Sequence, residues 1–562
     1  MRAARLAVIA LAVLAAVTCA AADYSWQKPH AKVLPQGDLE WAPRPFEFEK
    51  GDSVRYIDYE DGDDDAAGTS KDSAWKHHPW DPAATGRAAD GSGPHTYVFK
   101  QGVVYRGVLR PDESGQPGDP IRLTRDPDWG RGEACFYGSE AITGGWEKGA
   151  DHPRIPEADN VWYTDLDFLP RTLWMTEGEQ VTRINLARDP NWTEPDPQDP
   201  MSDWYVWENP RWWTGEHQTE IEGRTYHLGI DTDVLTGDAE DYEGGTVWTE
   251  WGIVMGSPYP HRIRKYDAQQ KAVAFGGPWV WWASEKIIKG NRYYLEDMPQ
   301  WLDAPGEFWF DKKGKGGRLY LRLPDDADPN NVTLEAGRHI NLIDADRLSH
   351  FEISGLTFRF TNIHWEYDIP QWAHPDLRAG VLRLQGSGDG LGIENNRFEH
   401  VHLPVRIQAA AEGGHVGSVR VTDNVVRYTD HGAFWIVNKE GKKRDDPRGQ
   451  LDSVELLRNN LYHIGWRNLA GNHGHAMSVQ QSTRTHVAGN FLDRIGGWGI
   501  SVSGGKRHPG ADIPFARDIV HHNRVADCLL KSCDWGAFYI TQGGPHYIYN
   551  NVAVNPVGQM HW

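Results

Sequence analysis

Acidic side chains recur at matching places in the last third of the chain. Asp430 and Asp534 each stand two residues before the glycine of a Gly-Ala-Phe-aromatic-Ile segment, and Asp493 lies at the end of another apolar segment. Cleavage of a glycosidic bond needs one carboxyl group that donates a proton and a second that acts as nucleophile or base. The sequence therefore predicts that Asp430, Asp534 and Asp493 are catalytic.

Seven polar or aromatic residues adjoin these carboxylates in the sequence and are predicted to bind the substrate. They are His431, Trp435, His473, His475, Arg494, Trp498 and Trp535. An indole offers a flat apolar face that can stack on the C–H face of a sugar ring, and an imidazole can hydrogen-bond to a hydroxyl. Each residue taken alone could equally cap a turn or fill a corner, so it is the cluster that favours a functional role.

Two other functions fit the same sequence. A polysaccharide lyase cleaves a uronic-acid polymer by β-elimination, which requires a base and a cation that neutralises the uronate. Lys439, Arg467, Arg494 and Lys506 could supply these groups. A non-catalytic glycan-binding protein would need only the aromatic and polar surface. We place the hydrolase first, because an acidic chain has little to attract a polyuronate.

An asparagine recurs in a short apolar pattern. Segments such as Ile393-Glu-Asn-Asn-Arg-Phe and Val421-Thr-Asp-Asn-Val-Val return roughly every 30 residues, which is within the range of solenoid repeats. The pattern assigns the repeated position to Asn396, Asn424, Asn460, Asn490, Asn523 and Asn551. Such an asparagine can sit in a tight bend and hydrogen-bond to the next coil. The sequence thus predicts an all-β fold with a right-handed parallel β-helix; the alternatives are a plain sandwich or a propeller, whose blades hold more strands.

The middle of the chain lacks the asparagine repeat. From residue 156 to 345, strand-like segments are separated by Gly, Asp and Pro turns, which predicts an inserted antiparallel β-sandwich. Residues 23–155 are predicted to cap the helix and form its first coils, and residues 346–562 the remaining coils. Because the chain stops soon after the last asparagine segment, we expect it to be truncated at the C-terminus.

Composition restricts the partners. The 562 residues carry a net charge of -21, which argues against binding to nucleic acid or to an anionic membrane surface. The 27 tryptophans exceed what a sugar site needs, so most of them should fill cores. We expect a monomer that binds a polysaccharide or oligosaccharide.

The first 22 residues are typical of a secretory signal peptide. Arg2 and Arg5 precede an apolar run, and Ala20-Ala-Ala22 forms a small-residue cleavage site. The run is too short to span a bilayer. Cys19 also suggests a lipoprotein, but the residue before it is unsuitable for that processing. We therefore predict a protein that is secreted or periplasmic.

No cofactor is predicted. The acidic loop Asp58–Asp65 could hold calcium, but it lacks the spacing of an EF-hand, and a solvated acidic loop is the preferred interpretation. The mature chain retains Cys135, Cys528 and Cys533, of which the last two could form a disulfide. Their spacing does not match a zinc site.

Several segments resemble a known family. They are Leu173-Trp-Met-Thr-Glu-Gly, Ala187-Arg-Asp-Pro-Asn, Tyr294-Leu-Glu-Asp-Met, Leu302-Asp-Ala-Pro-Gly-Glu-Phe-Trp-Phe-Asp, Leu319-Tyr-Leu-Arg-Leu-Pro and Ile353-Ser-Gly-Leu-Thr-Phe. Together they resemble glycoside hydrolase family 141, a family with fucosidase and xylanase activities. The resemblance covers most of the mature chain and implies a β-helix interrupted by a β-sandwich. These segments identify an architecture and leave the substrate open.

Overall fold

The computed structural model describes residues 32–33, 35, 39–193, 196, 199–210, 218–251, 258–276, 287–364, 378–410, 413–438, 449–467, 474–504, 517–532, 536–541 and 544–554. The described chain is nearly all β, as the sequence predicts. Its α-helical segments, Gly86–Ala89 and Ala239–Tyr242, are single turns. None of the helices in these ranges is long and apolar enough to cross a membrane.

Three parallel sheets form what we call the coil region, because the chain passes through them in rotation. Sheet 1 has seven strands: Ile343–Arg347, Leu382–Ser387, Val405–Ala409, Phe434–Asn438, Met477–Gln480, Ile500–Ser503 and Phe538–Thr541. Sheet 2 has ten: Val54–Ile57, Thr96–Gln101, Ile121–Gly130, Phe351–Ser354, Leu391–Glu394, His415–Thr422, Gln450–Leu457, Arg484–Ala488, Arg517–His521 and His546–Tyr549. Sheet 3 has nine: Val104–Arg106, Cys135–Tyr137, Thr357–Arg359, Arg397–Glu399, Val425–Arg427, Asn460–Ile464, Phe491–Ile495, Arg524–Ala526 and Val552–Val554.

The coil region is held together by identical positions stacking on one another. In sheet 3, Phe358 pairs with Phe398, and Phe398 pairs with Val426 one coil later. The rings of Phe358 and Phe398 are stacked with centroids 5.1 Å apart. These side chains are buried, so every coil adds apolar surface to one continuous core.

An asparagine ladder closes the bend between sheets 2 and 3. From Asn424 onwards, each ladder side chain accepts a hydrogen bond from the backbone N–H of the preceding ladder asparagine, as at Asn396–Asn424 (2.9 Å) and Asn490–Asn523 (3.1 Å). Asn396, the first of them, accepts from the Leu356 N–H at 3.1 Å. The residue before each ladder asparagine has a left-handed conformation, with φ of 53° at Asn395. The predicted bonding along the stack is confirmed for this ladder.

One predicted ladder position is wrong. The ladder contains Asn459, whose side chain accepts from Asn424 at 3.0 Å, and not Asn460. Asn460 instead begins a strand of sheet 3 and pairs with Val425. The correction moves the pattern by one residue, and in a strand such a step exchanges the inward and outward faces.

The segment between the two parts of the coil region, residues 139–337, contains mostly antiparallel sheets, and we call it the insertion; its one parallel pair among the described strands joins Gln180–Leu186 to Glu307–Lys313. Its largest sheet has eight strands: Ser139–Ile142, Thr333–Gly337, Leu173–Glu177, Gln180–Leu186, Glu307–Lys313, Gly316–Arg322, Trp162–Leu166 and Glu147–Lys148. A second has five: Arg188–Asp189, Arg292–Glu296, Thr246–Thr249, Tyr259–Arg262 and Tyr205–Val206. A third has four: Gln218–Ile221, Arg224–Ile230, Ala272–Phe275 and Lys265–Asp267. Lys32–Val33 and Leu39–Glu40 form a separate hairpin.

Two smaller sequence features are placed by the structure. In the acidic loop, Asp58 and Asp61 both pair with Lys100, and Asp64 pairs with His77. Cys135 and Cys528 are buried, whereas Cys533 lies outside the described residues, so the predicted disulfide stays a prediction.

Candidate functional site

A cavity of about 530 Å³ lies where the insertion meets the coil region. Its insertion wall consists of Arg183, Asn185, Arg188, Trp192, Thr193, Pro200, Asp203 and Trp204, and its coil wall of Tyr428, Tyr462, His463, Trp466, Arg467, Arg494 and Lys531. Aromatic and cationic side chains make up the whole coil wall and half of the insertion wall. Apolar faces combined with a few charged groups are what small-molecule sites usually offer.

The coil wall repeats because its residues occupy the same bend of successive coils. Tyr428 follows one sheet 3 strand, whereas His463 and Arg494 are the second-to-last residues of the next two; their φ values are 56°, 60° and 58°. Stacked coils are about 4.8 Å apart, so these side chains form a row along the cavity. The rings of Tyr428 and His463 are 5.3 Å apart.

Trp466 is the centre of the coil wall. The His463 ring stacks on it with centroids 3.9 Å apart and an interplanar angle of 3°. The Lys531 ammonium lies 4.7 Å from the Trp466 ring and the Arg494 guanidinium 5.6 Å from it. The Lys531 ammonium also donates to the Trp466 carbonyl at 3.0 Å. An indole face attracts cations, so Trp466 holds both charges at the cavity.

The insertion wall is organised by the buried Arg188. Its guanidinium is ion-paired with Asp203 and lies 4.2 Å from the Trp192 ring and 4.6 Å from the Tyr294 ring. The Trp204 ring lies 5.9 Å from the Lys531 ammonium, so the two walls meet at this lysine. These contacts fix the indoles of the insertion opposite the coil wall.

Asp430 is tied to the cavity through Arg183. The Arg183 guanidinium donates to the Asp430 carboxylate at 2.6 Å, joining the insertion to the coil region. Burial of Asp430 opposes its ionisation, but the charge and hydrogen bond of Arg183, with help from Arg467, hold the pKa of Asp430 below its ordinary value. Asp430 is therefore ionised at neutral pH.

A second ion pair crosses the same boundary. The Arg467 guanidinium donates to both oxygens of Glu296 at 3.1 and 3.2 Å and lies 4.9 Å from the Trp248 ring. Burial raises the pKa of Glu296, although Arg467 and the Trp248 indole oppose that rise. This pair supports Arg467 from behind the cavity.

Lys531 has an unusual charge state. Burial, followed by the nearby charge of Arg188, lowers the pKa of its ammonium to about 7, while Asp203 opposes the shift. A lysine with this pKa exchanges its proton near neutral pH and can act as a base.

Asp493 lies beside the cavity. It is half-buried and pairs with Tyr462 in sheet 3, and both Tyr462 and the following Arg494 line the coil wall. Burial and the charge of Asp527 raise the pKa of Asp493. A carboxyl group with a raised pKa is suited to hold a proton.

The structure brings only some of the predicted site residues together. Arg494 lines the cavity, Asp430 reaches it through Arg183, and Asp493 adjoins it. His431, Trp435, His475 and Trp498 instead form an aromatic row near sheet 1. Asp534, Trp535 and His473 lie outside the described residues, as do Lys439 and Lys506. Of the groups predicted for a lyase, Arg467 and Arg494 line the cavity.

The aromatic row is built by stacking. The rings of His475 and Trp498 are parallel and 4.5 Å apart, and Trp435 meets His475 edge-on at 5.3 Å. His431 follows at 6.4 Å from Trp435. His431, His475 and Trp498 are buried and Trp435 is half-buried, so packing accounts for most of this row.

Sequence reasoning missed most of the cavity. A usable signal existed on the coil wall, because Arg467 and Lys531 each stand eight residues after a ladder asparagine (Asn459 and Asn523). The shifted ladder assignment hid this spacing. Arg183, Arg188 and Asp203 belong to the insertion, which has no repeat that could reveal them.

Comparisons with known proteins reveal a similarity of fold only. No family model matches the chain, and a search of curated proteins finds no match. Among solved structures, a protein named "Glycoside hydrolase" aligns with a TM-score of 0.52 and 13% identity, over 89% of this chain and 96% of its own. A second, titled "The complex structure of XylC with xylose", aligns with a TM-score of 0.42 and 13% identity, over 88% and 68%. At this identity the first shows a similar fold and nothing more, and the second is too dissimilar to support an argument.

Proposed function

We propose that the chain is a secreted or periplasmic glycoside hydrolase built as a right-handed parallel β-helix with an inserted β-sandwich, resembling glycoside hydrolase family 141. In this proposal, the sandwich is the insertion, residues 139–337 rather than 156–345, because Ser139–Ile142 and Glu147–Lys148 pair with its strands and Ile343–Arg347 pairs with a coil strand. The coils on either side of it form the helix, and residues 1–22 form the signal peptide. The substrate is a plant or algal polysaccharide or its side chains. The parallel coil region with its asparagine ladder supports the fold proposed here.

One observation carries the enzymatic proposal: two carboxyl groups beside one cavity have pKa values shifted in opposite directions. Arg183 keeps Asp430 ionised, whereas burial favours the protonated form of Asp493. Glycosidases use such a division, with one carboxylate as nucleophile or base and one carboxylic acid as proton donor. We assign the base to Asp430 and the acid to Asp493.

The spacing of the coils that carry the two carboxyl groups favours inversion. Asp493 is aligned with Arg427 across two coil steps, through Tyr462, and Asp430 follows Arg427 by three residues. Two steps span roughly 10 Å along the stack. Retaining enzymes place their carboxyl groups about 5 Å apart, and inverting enzymes about 6.5 to 9.5 Å apart to admit a water. Asp430 would then activate that water while Asp493 protonates the departing oxygen.

The aromatic walls supply the sugar contacts. Trp192 and Trp204 on the insertion wall face a coil wall that contains Trp466 and Tyr428. Stacking on such faces holds a pyranose ring without fixing its hydroxyl pattern. We propose that the aromatic row near sheet 1 extends this surface, with Trp435 as its accessible member. Asp534, Trp535 and His473 remain proposed site residues.

The test is a digest of a polysaccharide panel by the full chain. New reducing ends without the ultraviolet absorbance of an unsaturated uronate are expected. Asp430→Asn and Asp493→Asn should each abolish the reducing ends, while Asp452→Asn should not, because Asp452 pairs with His415 on the outer face of sheet 2. Full activity in both site variants would overturn the assignment.

A second reaction is favoured by Lys531. A base with a pKa near 7 among several arginines is what β-elimination on a uronic acid requires. Lys531 would remove the proton next to the carboxylate, the electron pair of that C–H bond would form the new double bond, and the glycosidic C–O bond would break with protonation of the departing oxygen. Ultraviolet absorbance rising with the reducing ends, and lost in Lys531→Gln, would select this reaction.

A further inference from the structure

We infer that the cavity recognises a negatively charged saccharide, one that carries a carboxylate or a sulfate half-ester. This inference deepens the proposed function, because it assumes that the cavity is the glycan site. It concerns recognition of the substrate and holds for either bond-breaking reaction.

The first observation is the charge on the cavity walls. They contain five cationic side chains, Arg183, Arg188, Arg467, Arg494 and Lys531, and a single carboxylate, Asp203. Such a concentration is unexpected in a chain whose net charge is -21. Charges of one sign gathered in a cleft with apolar walls create a local field that attracts the opposite charge.

The second observation is how these cations are paired. Arg183 is matched by Asp430, Arg188 by Asp203 and Arg467 by Glu296, with distances of 2.6 Å and 3.1 Å for the first and third pairs. Within the described residues, Arg494 and Lys531 have no carboxylate in salt-bridge contact. The cavity therefore has an excess of positive charge at these two side chains.

Both unmatched cations lie against Trp466. Their charged groups are 5.6 Å and 4.7 Å from its ring. A saccharide stacked on the aromatic walls would bring an acidic substituent within reach of both. The planar guanidinium of Arg494 can donate two parallel hydrogen bonds to a carboxylate or a sulfate, and the ammonium of Lys531 adds a point charge.

The surroundings of Lys531 give the inference a pH signature. Arg183, Arg188 and Arg467 face it with positive charge and Asp203 with negative charge. Burial and the charges of Lys531 and Arg494 lower the pKa of the neighbouring His463 to about 3, so His463 stays neutral. A bound anion stabilises the protonated form of Lys531, whose pKa is about 7 when the cavity is empty. Affinity for an acidic saccharide should therefore rise as the pH falls from 8 to 6, while affinity for a neutral one stays constant.

The experiment measures binding by calorimetry with the full chain and three oligosaccharides of equal length. These are a uronic-acid oligosaccharide, its carboxyl-reduced neutral counterpart, and the neutral oligosaccharide carrying sulfate. We expect at least one acidic ligand to bind about ten-fold or more tightly than the neutral one. Whether the carboxylate or the sulfate ligand shows the preference identifies the source of the charge.

Matched variants connect the preference to the cavity. Arg494→Gln and Lys531→Gln should each reduce the ratio of acidic to neutral affinity, and Lys531→Gln should also remove its pH dependence. Arg420→Gln is the control, since Arg420 pairs with Glu394 on sheet 2. If Lys531→Gln does not fold because Lys531 is buried, the affinity ratio of the Arg494→Gln variant, whose side chain is half-exposed, tests the inference by itself.

The outcomes separate this inference from the proposed function. Equal affinity for acidic and neutral ligands, or a preference that Arg494→Gln leaves unchanged, would overturn the inference. If the neutral oligosaccharide is nevertheless bound and cleaved, the proposed function stands without it. If none of the saccharides in the panel is bound or cleaved, the proposed function fails as well.

Discussion

The coil region and the insertion solve the problem of buried polar groups in different ways. At its inner bend the coil region uses neutral amides, since each ladder asparagine bonds to the next coil with distances such as 3.0 Å at Asn424–Asn459. The insertion buries ionisable groups instead, among them Glu296, Glu307 and Arg188. A repeat allows neutral amides to satisfy one another, because every coil offers the same hydrogen-bond partner at the same place. A single sheet has no such repetition, so charges must be matched one by one.

The difference explains where the cavity lies. Charged groups of the insertion reach across the boundary and engage coil residues, as in the pairs Arg183–Asp430 and Arg467–Glu296. The coil region supplies side chains at regular spacing along the cavity. The insertion supplies charged groups, Arg183 and Arg188, that shift the pKa values of Asp430 and Lys531. Burial of Asp430 opposes its ionisation, and Arg183 of the insertion, followed by Arg467 of the coil region, lowers the pKa of Asp430.

The largest expected effect concerns the coil residue that the insertion controls. Asp430→Asn should lower kcat about 1,000-fold, because a general base or nucleophile contributes within the range of 10² to 10⁴. Asn keeps the shape of the Asp side chain and removes its charge. The free energy of unfolding, measured for the variant and the wild type, shows whether the variant is folded. Steady-state assays on the cleaved polysaccharide measure the change. A loss of less than ten-fold would make Asp430 a structural partner of Arg183 only.

A variant of the asparagine ladder tests how much the neutral amides stabilise the coil region. Asn459→Ala should reduce the free energy of unfolding by about 4 kcal/mol, since it leaves the buried Asn424 N–H and Val421 carbonyl without their bonds of 3.0 and 2.9 Å. Asn460→Ala is the matched control and should cost less than about 1 kcal/mol, because Asn460 is half-buried at the start of a strand. Denaturant titrations measure both variants. The reverse order would restore the ladder position predicted from sequence.

These two asparagines show how far sequence reasoning reaches. Spacing alone predicted an asparagine ladder, and the ladder exists. In Leu457-Arg-Asn-Asn-Leu-Tyr, however, either asparagine fits the spacing, and the choice depends on which apolar residue faces the core. Leu461 does so, aligned with Val426, and this places Asn459 in the bend. Which of two adjacent residues lies in the bend is decided by the packing of the coils on one another. A six-residue segment of sequence encodes that choice only weakly.

The site was less accessible from sequence for a related reason. Asp430 and Arg494 could be predicted because they lie near the ends of repeated strands. Arg183 lies 247 residues from its partner Asp430, and nothing local records that contact. The charge balance of the cavity therefore emerges only when the insertion is docked on the coils, so the cationic character remained hidden behind an acidic composition.

A buried acid of the insertion should make its stability depend on pH. Burial and the charge of Asp303 raise the pKa of Glu307 to about 9, above its value of about 4.5 in an unfolded chain. A raised folded pKa means that this carboxyl favours the folded state most at low pH, and that the contribution is lost as the pH rises from about 4.5 towards 9. Glu307→Gln should therefore increase the free energy of unfolding at pH 7 by about 3 kcal/mol.

The pH dependence of that gain distinguishes the charge from a packing effect. The advantage of Glu307→Gln should shrink as the pH falls and disappear below about 4.5, where the wild-type carboxyl is protonated in both states. Glu394→Gln is the control, since Glu394 is partly exposed on sheet 2 and pairs with Arg420. An equal gain at pH 5 and pH 8 would show that the charge of Glu307 is not the cause.

The smallest expected effect tests the link between the two regions. Arg183→Gln removes the cation that holds the pKa of Asp430 below its ordinary value, so that pKa should rise. The acidic limb of the kcat/KM profile should therefore move to higher pH, with about a ten-fold loss at pH 5 and a smaller one at pH 8. A structural role alone would lower activity equally at every pH. Arg183→Lys keeps a positive charge, so its acidic limb should lie close to that of the wild type. An acidic limb that does not shift in Arg183→Gln would mean that the insertion does not control the pKa of Asp430.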